Sequence, residues 1–300
     1  MSRMSRVAAW AVGGLAAWTA LARAGSPNTS NGYNLPPGVS ELAQEIHSVH
    51  MVVFWICVVI GVAVFGTMII ALLKFRHSQG AVPDTQMVHS TKAEIIWTII
   101  PVGILVFMAV PAAETLIKIE DTRNSEMTIR VTGYQWKWQY QYMDAAEGVN
   151  FFSMLSQDSN EARQLHSGID PYTVPNYLLS VDHPMVIPSG TKVRLLLNSQ
   201  DVIHAWWVPD FGMKRDAIPG FVNELWIRVP AGKEGTYRGQ CAELCGQDHG
   251  FMPIVVEVKT PQEFKQWVDE QKAQAKQAAA GDAAPAVLKT AQIIRQVIRN

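Results

Sequence analysis

Cysteine is scarce in this chain, with three in 300 residues, and that odd, small number excludes a scaffold stapled by disulfides. Charge is sparse too: Asp, Glu, Lys and Arg make up 17% of residues and the formal net charge is −1. Nucleic acid is not an expected partner. The segment from Gly25 to His50 has no Lys or Arg at all. The stretch beyond Thr260 has no Cys-x-x-Cys-His, which excludes covalent haem c in that tail. No other residues read as haem ligands, so no haem is expected on this chain.

Long apolar runs, in contrast, are present. Met51 to Leu73 is almost wholly apolar. At ~1.5 Å per residue it reaches about 34 Å, enough for a bilayer core. A second run extends from about Ala93 to Ala113, interrupted by Pro101 and closing near Pro111. The connection from Lys74 to Lys92 is basic, while Gly25 to His50 has no Lys or Arg, so the positive-inside rule puts the connection in the cytoplasm. Arg3 and Arg6, the apolar run Val7 to Leu21, and Ala22-Arg-Ala24 read as a signal peptide over residues 1–24. These readings predict an outer segment over 25–50 and a transmembrane hairpin over 51–113. Thr91-Lys-Ala-Glu94 reads as a capping box, with Thr91 as N-cap and Glu94 reaching back. Glu94 is also an ionisable residue at a membrane helix, a position that favours a functional role.

From about 114 to 260 the chain carries short β-branched and aromatic runs, among them Met127–Val131, Lys192–Leu197, Leu225–Val229 and Pro253–Val258. Gly, Pro and Asn separate them, and the pattern predicts an antiparallel sandwich or barrel. Residues 144–176 read as an irregular surface insertion. Pro261 opens an amphipathic helix, and an Ala-rich linker with a second helical stretch, Val287 to Arg299, completes a tail over 261–300.

The most specific segment is Cys241-Ala-Glu-Leu-Cys245-Gly-Gln-Asp-His249-Gly-Phe-Met252. It places two thiols, an imidazole and a thioether in one loop, and this soft set suits copper. Two thiolates can bridge two metal ions, each then needing one histidine and one weak ligand. His249 and Met252 supply part of this, and His204 is the second histidine we select. A Cys241–Cys245 disulfide leaves His249, Met252 and His204 unexplained. Structural zinc fits poorly, since methionine is a weak zinc ligand and the close cysteine spacing is absent.

This loop, with His204, Met213–Gly220 and Gly133-Tyr-Gln-Trp136-Lys-Trp138, resembles subunit II of cytochrome c oxidase over roughly Glu41 to Thr260. The resemblance implies two transmembrane helices followed by a cupredoxin-like Greek-key β-barrel. It implies a dinuclear copper centre, CuA, held by Cys241, Cys245, His204, His249, Met252 and the backbone carbonyl of Glu243. It implies that the Glu243 side chain reaches a magnesium ion shared with subunit I. It gives Trp136 as the port at which cytochrome c delivers electrons, and Glu94 as the mouth of a proton-uptake path. Asp182 and Asp201 match positions used for docking, whereas Gln141 departs from an acid often found in relatives. The implied setting is the inner membrane of a bacterium, with the copper domain in the periplasm and subunits I and III alongside.

Tyr134 to Tyr142 alternates aromatic and polar residues, which predicts a single strand with Trp136 and Trp138 on one face. The stretch Glu114 to Thr260 contains 18 acidic and 13 basic residues, an excess that would steer a basic partner. Related terminal-oxidase subunits that have lost the copper ligands, nitrous oxide reductase and a membrane-anchored copper chaperone are the alternatives. The first lacks the ligand set, the second needs a propeller for which there is no room, and the third needs neither the aromatic segment nor Glu94.

Overall fold

The computed structural model describes residues 33–82, 86 and 88–277. The expected signal peptide and the stretch Val287 to Arg299 lie outside the described residues. The chain divides into two compact units, one holding two long helices and the other a β-domain.

Helices α1 (Glu41–Lys74) and α2 (Thr91–Glu120) are long and apolar enough to cross a membrane. Both outrun the expected limits. No Gly or Pro interrupts Glu41 to His50, so the helix continues beyond its apolar run. Pro101 and Pro111 both lie inside α2 and neither ends it, in keeping with the tolerance of membrane helices for proline. The polar ends meet where Lys118 Nζ lies 2.6 Å from Glu45 Oε1. The N-cap of α2 is Ser90 rather than Thr91. The Glu94 amide donates to the Ser90 carbonyl at 3.0 Å, and the Ala93 amide lies 3.5 Å from Ser90 Oγ. Glu94 thus sits one residue too late to close a capping box.

The β-domain is a sandwich of two five-stranded sheets. The first orders its strands β3 (Asn150–Ser153), β2 (Lys137–Tyr142), β1 (Met127–Tyr134), β5 (Val193–Ser199) and β8 (Asn223–Ile227). The second orders them β4 (Met185–Pro188), β10 (Pro253–Lys259), β9 (Gly235–Cys241), β6 (His204–Val208) and β7 (Met213–Ala217). The pairings β1–β5 and β4–β10 are parallel, a departure from the expected all-antiparallel sandwich. Both arise because the chain switches sheets between β4 and β5 instead of returning beside its neighbour.

Strand β2 ties the sheets together. Trp138, Tyr140 and Tyr142 are fully buried, and each gives its polar tip a partner on the second sheet or the loop leading into it. Tyr142 Oη donates to the Val186 carbonyl and accepts from the Val186 amide, both at 2.8 Å. Trp206 Nε1 lies 3.4 Å from Tyr140 Oη, and Trp138 Nε1 donates to the Met252 carbonyl at 3.3 Å.

The aromatic run is not one strand. β1 ends at Tyr134 and β2 begins at Lys137, so Gln135 and Trp136 form the turn of a hairpin whose last pair is Tyr134–Lys137. Alternation continues through the turn in the sequence, which hides it. The 144–176 insertion is more ordered than its composition implies. It adds β3 to a sheet edge and carries the short helix α3 (Gln157–Ala162). Buried Ser159 on α3 accepts from the Leu178 amide at 3.2 Å, and the Ser156 amide donates to Ser180. Residues 261–277 form helix α4, opened by a capping box in which Thr260 and Glu263 exchange side-chain and backbone bonds. Its Trp267 ring lies 5.2 Å from that of Tyr142.

Candidate metal centre

One end of the sandwich gathers the loop that follows β9, the start of β6 and the β1–β2 turn. Cys241 is the last residue of β9, and His204 is the first of β6. Their side chains meet because β6 and β9 pair antiparallel, with Trp206 opposite Cys241. Cys245 follows in the loop, and His249 sits in a single helical turn, His249–Phe251. Met252 comes next and is buried just before β10.

The two sulfurs lie 3.9 Å apart, and both cysteines are free. Each sulfur has one imidazole nitrogen and one weak donor beside it. Cys241 Sγ lies 3.9 Å from His204 Nδ1 and 3.3 Å from the Glu243 carbonyl oxygen. Cys245 Sγ lies 3.5 Å from His249 Nδ1 and 3.5 Å from Met252 Sδ. Metal–sulfur bonds measure about 2.3 Å, so sulfurs at this separation can both reach one cation. His204, Cys241 and Cys245 present ligand atoms within 4.8 Å of one another, a group able to hold a metal ion.

Electrostatics favour a cation here. Burial pushes the Cys241 thiol up, but hydrogen bonding from His204 and the nearby backbone outweighs it and brings the pKa to about 7. Burial and the neighbouring Cys241 charge push Cys245 up to about 12. The pair therefore gives up one proton readily and the second only when positive charge arrives. Burial disfavours the charged form of His204, yet its bonds to Cys241 and Asp201 more than compensate and raise its pKa.

Supporting contacts fix the donors. Asp201 Oδ1 lies 2.9 Å from His204 Nε2, leaving Nδ1 to face the sulfurs. The other Asp201 oxygen accepts from the Gln135 amide at 2.7 Å. Gly133 faces the His204 ring, and a Cβ there would come within 2.7 Å of Cδ2, so any larger residue would have to displace the ring. The hairpin turn rests on the loop: Gln135 Nε2 and Trp136 Nε1 both donate to the Cys245 carbonyl, at 2.9 and 3.3 Å.

Known proteins resemble this chain over most of its length. A family model for the periplasmic domain of cytochrome c oxidase subunit II matches residues 127–259, and one for the transmembrane domain of the same subunit matches 28–114. The chain belongs to the cytochrome c oxidase subunit II family. A probable cytochrome c oxidase subunit 2 of Rickettsia bellii is 40% identical over 232 residues, covering 77% of this chain and 81% of that protein. Cytochrome c oxidase subunit 2 of Arabidopsis thaliana is 36% identical over 236 residues, covering 77% and 85%. The solved periplasmic domain of cytochrome oxidase subunit II from Bradyrhizobium japonicum is 40% identical, covers 51% of this chain and 98% of that domain, and superposes with a TM-score of 0.43. Membership makes the chain a membrane-anchored subunit of an oxidase complex, and the family implies a copper centre.

The predicted site residues fall into three places. His204, Cys241, Cys245, His249, Met252 and the Glu243 carbonyl converge, while the Glu243 side chain is exposed. Trp136 is half-buried on the rim of a surface depression that Asp182 also lines. Asp182 bonds the Met154 amide at 2.8 Å. Asp201, read from the sequence as a docking acid, turns its carboxylate inward to His204 and Gln135. Glu94 belongs to the helical unit, half-buried in the first turn of α2. Gln135 and Gly133 were missed as site residues. Their signal was a place within three residues of Trp136, and for Asp201 the signal was its i, i+3 spacing to His204.

Proposed function

We propose that this chain accepts electrons from cytochrome c at a dinuclear CuA centre and delivers them to haem in subunit I, where oxygen reduction is coupled to proton pumping. The observation that carries this reading is the paired donor set, in which each of two sulfurs has its own imidazole nitrogen and its own weak donor. Thiolates disfavour a hard cation, and the Met252 thioether favours copper over zinc. Cys241 and Cys245 would bridge, His204 and His249 would each cap one ion, and Met252 and the Glu243 carbonyl would be the weak ligands. Copper held there supplies one-electron redox chemistry.

The remaining residues serve that chemistry. Trp136 lies between solvent and the Cys245 carbonyl and acts as the port for cytochrome c. Asp182 contributes negative charge to the docking face, while Asp201 acts chiefly by orienting His204. The exposed Glu243 carboxylate is a suitable oxygen ligand for magnesium shared with subunit I. Glu94 helps admit protons from the cytoplasmic side. The helices sit in lipid in a bacterial inner membrane with the β-domain in the periplasm, beside subunits I and III. This chain itself carries no haem.

A membrane-anchored copper chaperone would share the Cys, His and Met donors but would have no use for the bond from Trp136 to the ligand loop. Electron paramagnetic resonance of the copper-loaded full-length chain separates the two. Hyperfine structure from one unpaired electron shared by two copper nuclei supports the oxidase reading; a single-copper spectrum, or no copper uptake, sinks it.

A further inference from the structure

From the 144–176 insertion, Arg163 at the end of α3 reaches the ligand loop. Its Nη1 lies 3.4 Å from Asp248 Oδ1, and its guanidinium carbon stands 4.3 Å from the Phe251 ring centroid. Its Nε donates to Asn160 Oδ1 at 2.8 Å, which fixes the head group on its own helix. Asp248 and Phe251 bracket His249: Asp248 is the N-cap of the single turn, and the Phe251 amide closes it on the Asp248 carbonyl at 2.9 Å.

The two imidazoles are therefore steadied differently. His204 is wholly buried, and Asp201 holds its second nitrogen. His249 is half-buried on one short turn, and a turn that brief has little stiffness of its own. An exposed ion pair alone would add little. Here the Arg163 and Asp248 side chains are about three-quarters buried, at 22% and 27% exposure, and a planar guanidinium can pair with the acid while stacking on the ring. The helix behind it is anchored by buried Ser159 and by β3 at the sheet edge.

We propose that Arg163 is a positioning residue: the insertion uses it to clamp the turn that carries His249, fixing that ligand from outside as Asp201 fixes His204. The inference rests on the copper-site reading above and gives the insertion a role in it. Loss of the clamp loosens one imidazole and leaves the other untouched, so it unbalances the two metal positions.

The test compares the full-length copper-loaded chain with Arg163→Ala, Arg163→Lys and Asp248→Asn. The first readout is the rate of copper loss to a copper(I) chelator after reduction. The second is the copper hyperfine pattern. Arg163→Ala and Asp248→Asn are expected to lose copper about 10-fold faster, the lower end of the effect of removing an outer partner of a metal ligand. Their hyperfine pattern should become less symmetric between the two coppers. Arg163→Lys, which keeps charge but not the planar stack, should fall between them and the unaltered chain. Release rates and spectra equal to the unaltered chain overturn the clamp, even with a lowered melting temperature. If Arg163→Ala does not accumulate, Asp248→Asn and Phe251→Leu decide by the same comparison. A single-copper spectrum from the unaltered chain would overturn the dinuclear reading instead, and the release rates would still decide the clamp.

Discussion

The indole nitrogen of Trp136 lies 3.3 Å from the carbonyl oxygen of Cys245, so an aromatic ring in the β1–β2 turn touches the backbone of a sulfur donor. Under the proposed function, Trp136→Ala should lower electron uptake from reduced cytochrome c by at least about 10-fold, equivalent to roughly 1.4 kcal/mol in the barrier. Copper content and copper spectrum should stay the same. Stopped-flow absorbance of cytochrome c with the assembled complex reads the first, and elemental analysis reads the second. Equal loss of copper would make Trp136 a structural residue.

Asp201→Ala removes the partner that directs His204 Nδ1 towards the sulfurs. Copper affinity should fall by about 10- to 100-fold, measured by chelator competition. Asp201→Asn keeps an acceptor oxygen and should lose much less. An alanine variant with unchanged affinity would show that burial alone orients the ring.

Gly133→Ala drives a methyl group against the His204 ring. A shift of packed side chains on this scale costs about 1–3 kcal/mol. Thermal denaturation should show a lower midpoint, and the purified protein should hold less copper. Ala at Gly148, where a Cβ meets nothing within 4 Å but φ is +94°, is a useful control: it strains the backbone without touching the site.

Glu243→Gln removes the exposed carboxylate and keeps the carbonyl that faces Cys241. Copper should be retained while manganese no longer occupies the magnesium position in cells grown on manganese, as read by its resonance spectrum. Retained manganese would refute the role given to this side chain.

Reaction with cytochrome c should slow as salt is added, since screening weakens attraction between an acidic face and a basic partner beyond about 10 Å at 0.1 M. Asp182→Asn should flatten that dependence. A salt profile that is flat from the start would point to an apolar or tethered donor.

The donor set was legible because Cys241, Cys245, His249 and Met252 are contiguous, and soft donors so close together have few other uses. The apolar runs of α1 and α2 were legible for the same reason, although their ends were not: helix continues wherever nothing stops it. The break at Gln135–Trp136 was hidden because a hairpin turn of this length preserves the alternation on either side. The bonds of Asp201 to His204 and Gln135 were not legible, because its charge is visible in the sequence and its direction is not. Arg163 was invisible, since its partner Asp248 is 85 residues away and only the packing of an insertion brings them together.

Trp138 spans the sandwich to bond the Met252 carbonyl, two residues along the chain from the turn that holds Trp136. A partner that presses on that turn therefore also leans on the backbone of a weak donor. Under the proposed function, docking and tuning would share one lever arm: whatever binds at the hairpin would be mechanically in touch with the end of the donor set farthest from it in sequence.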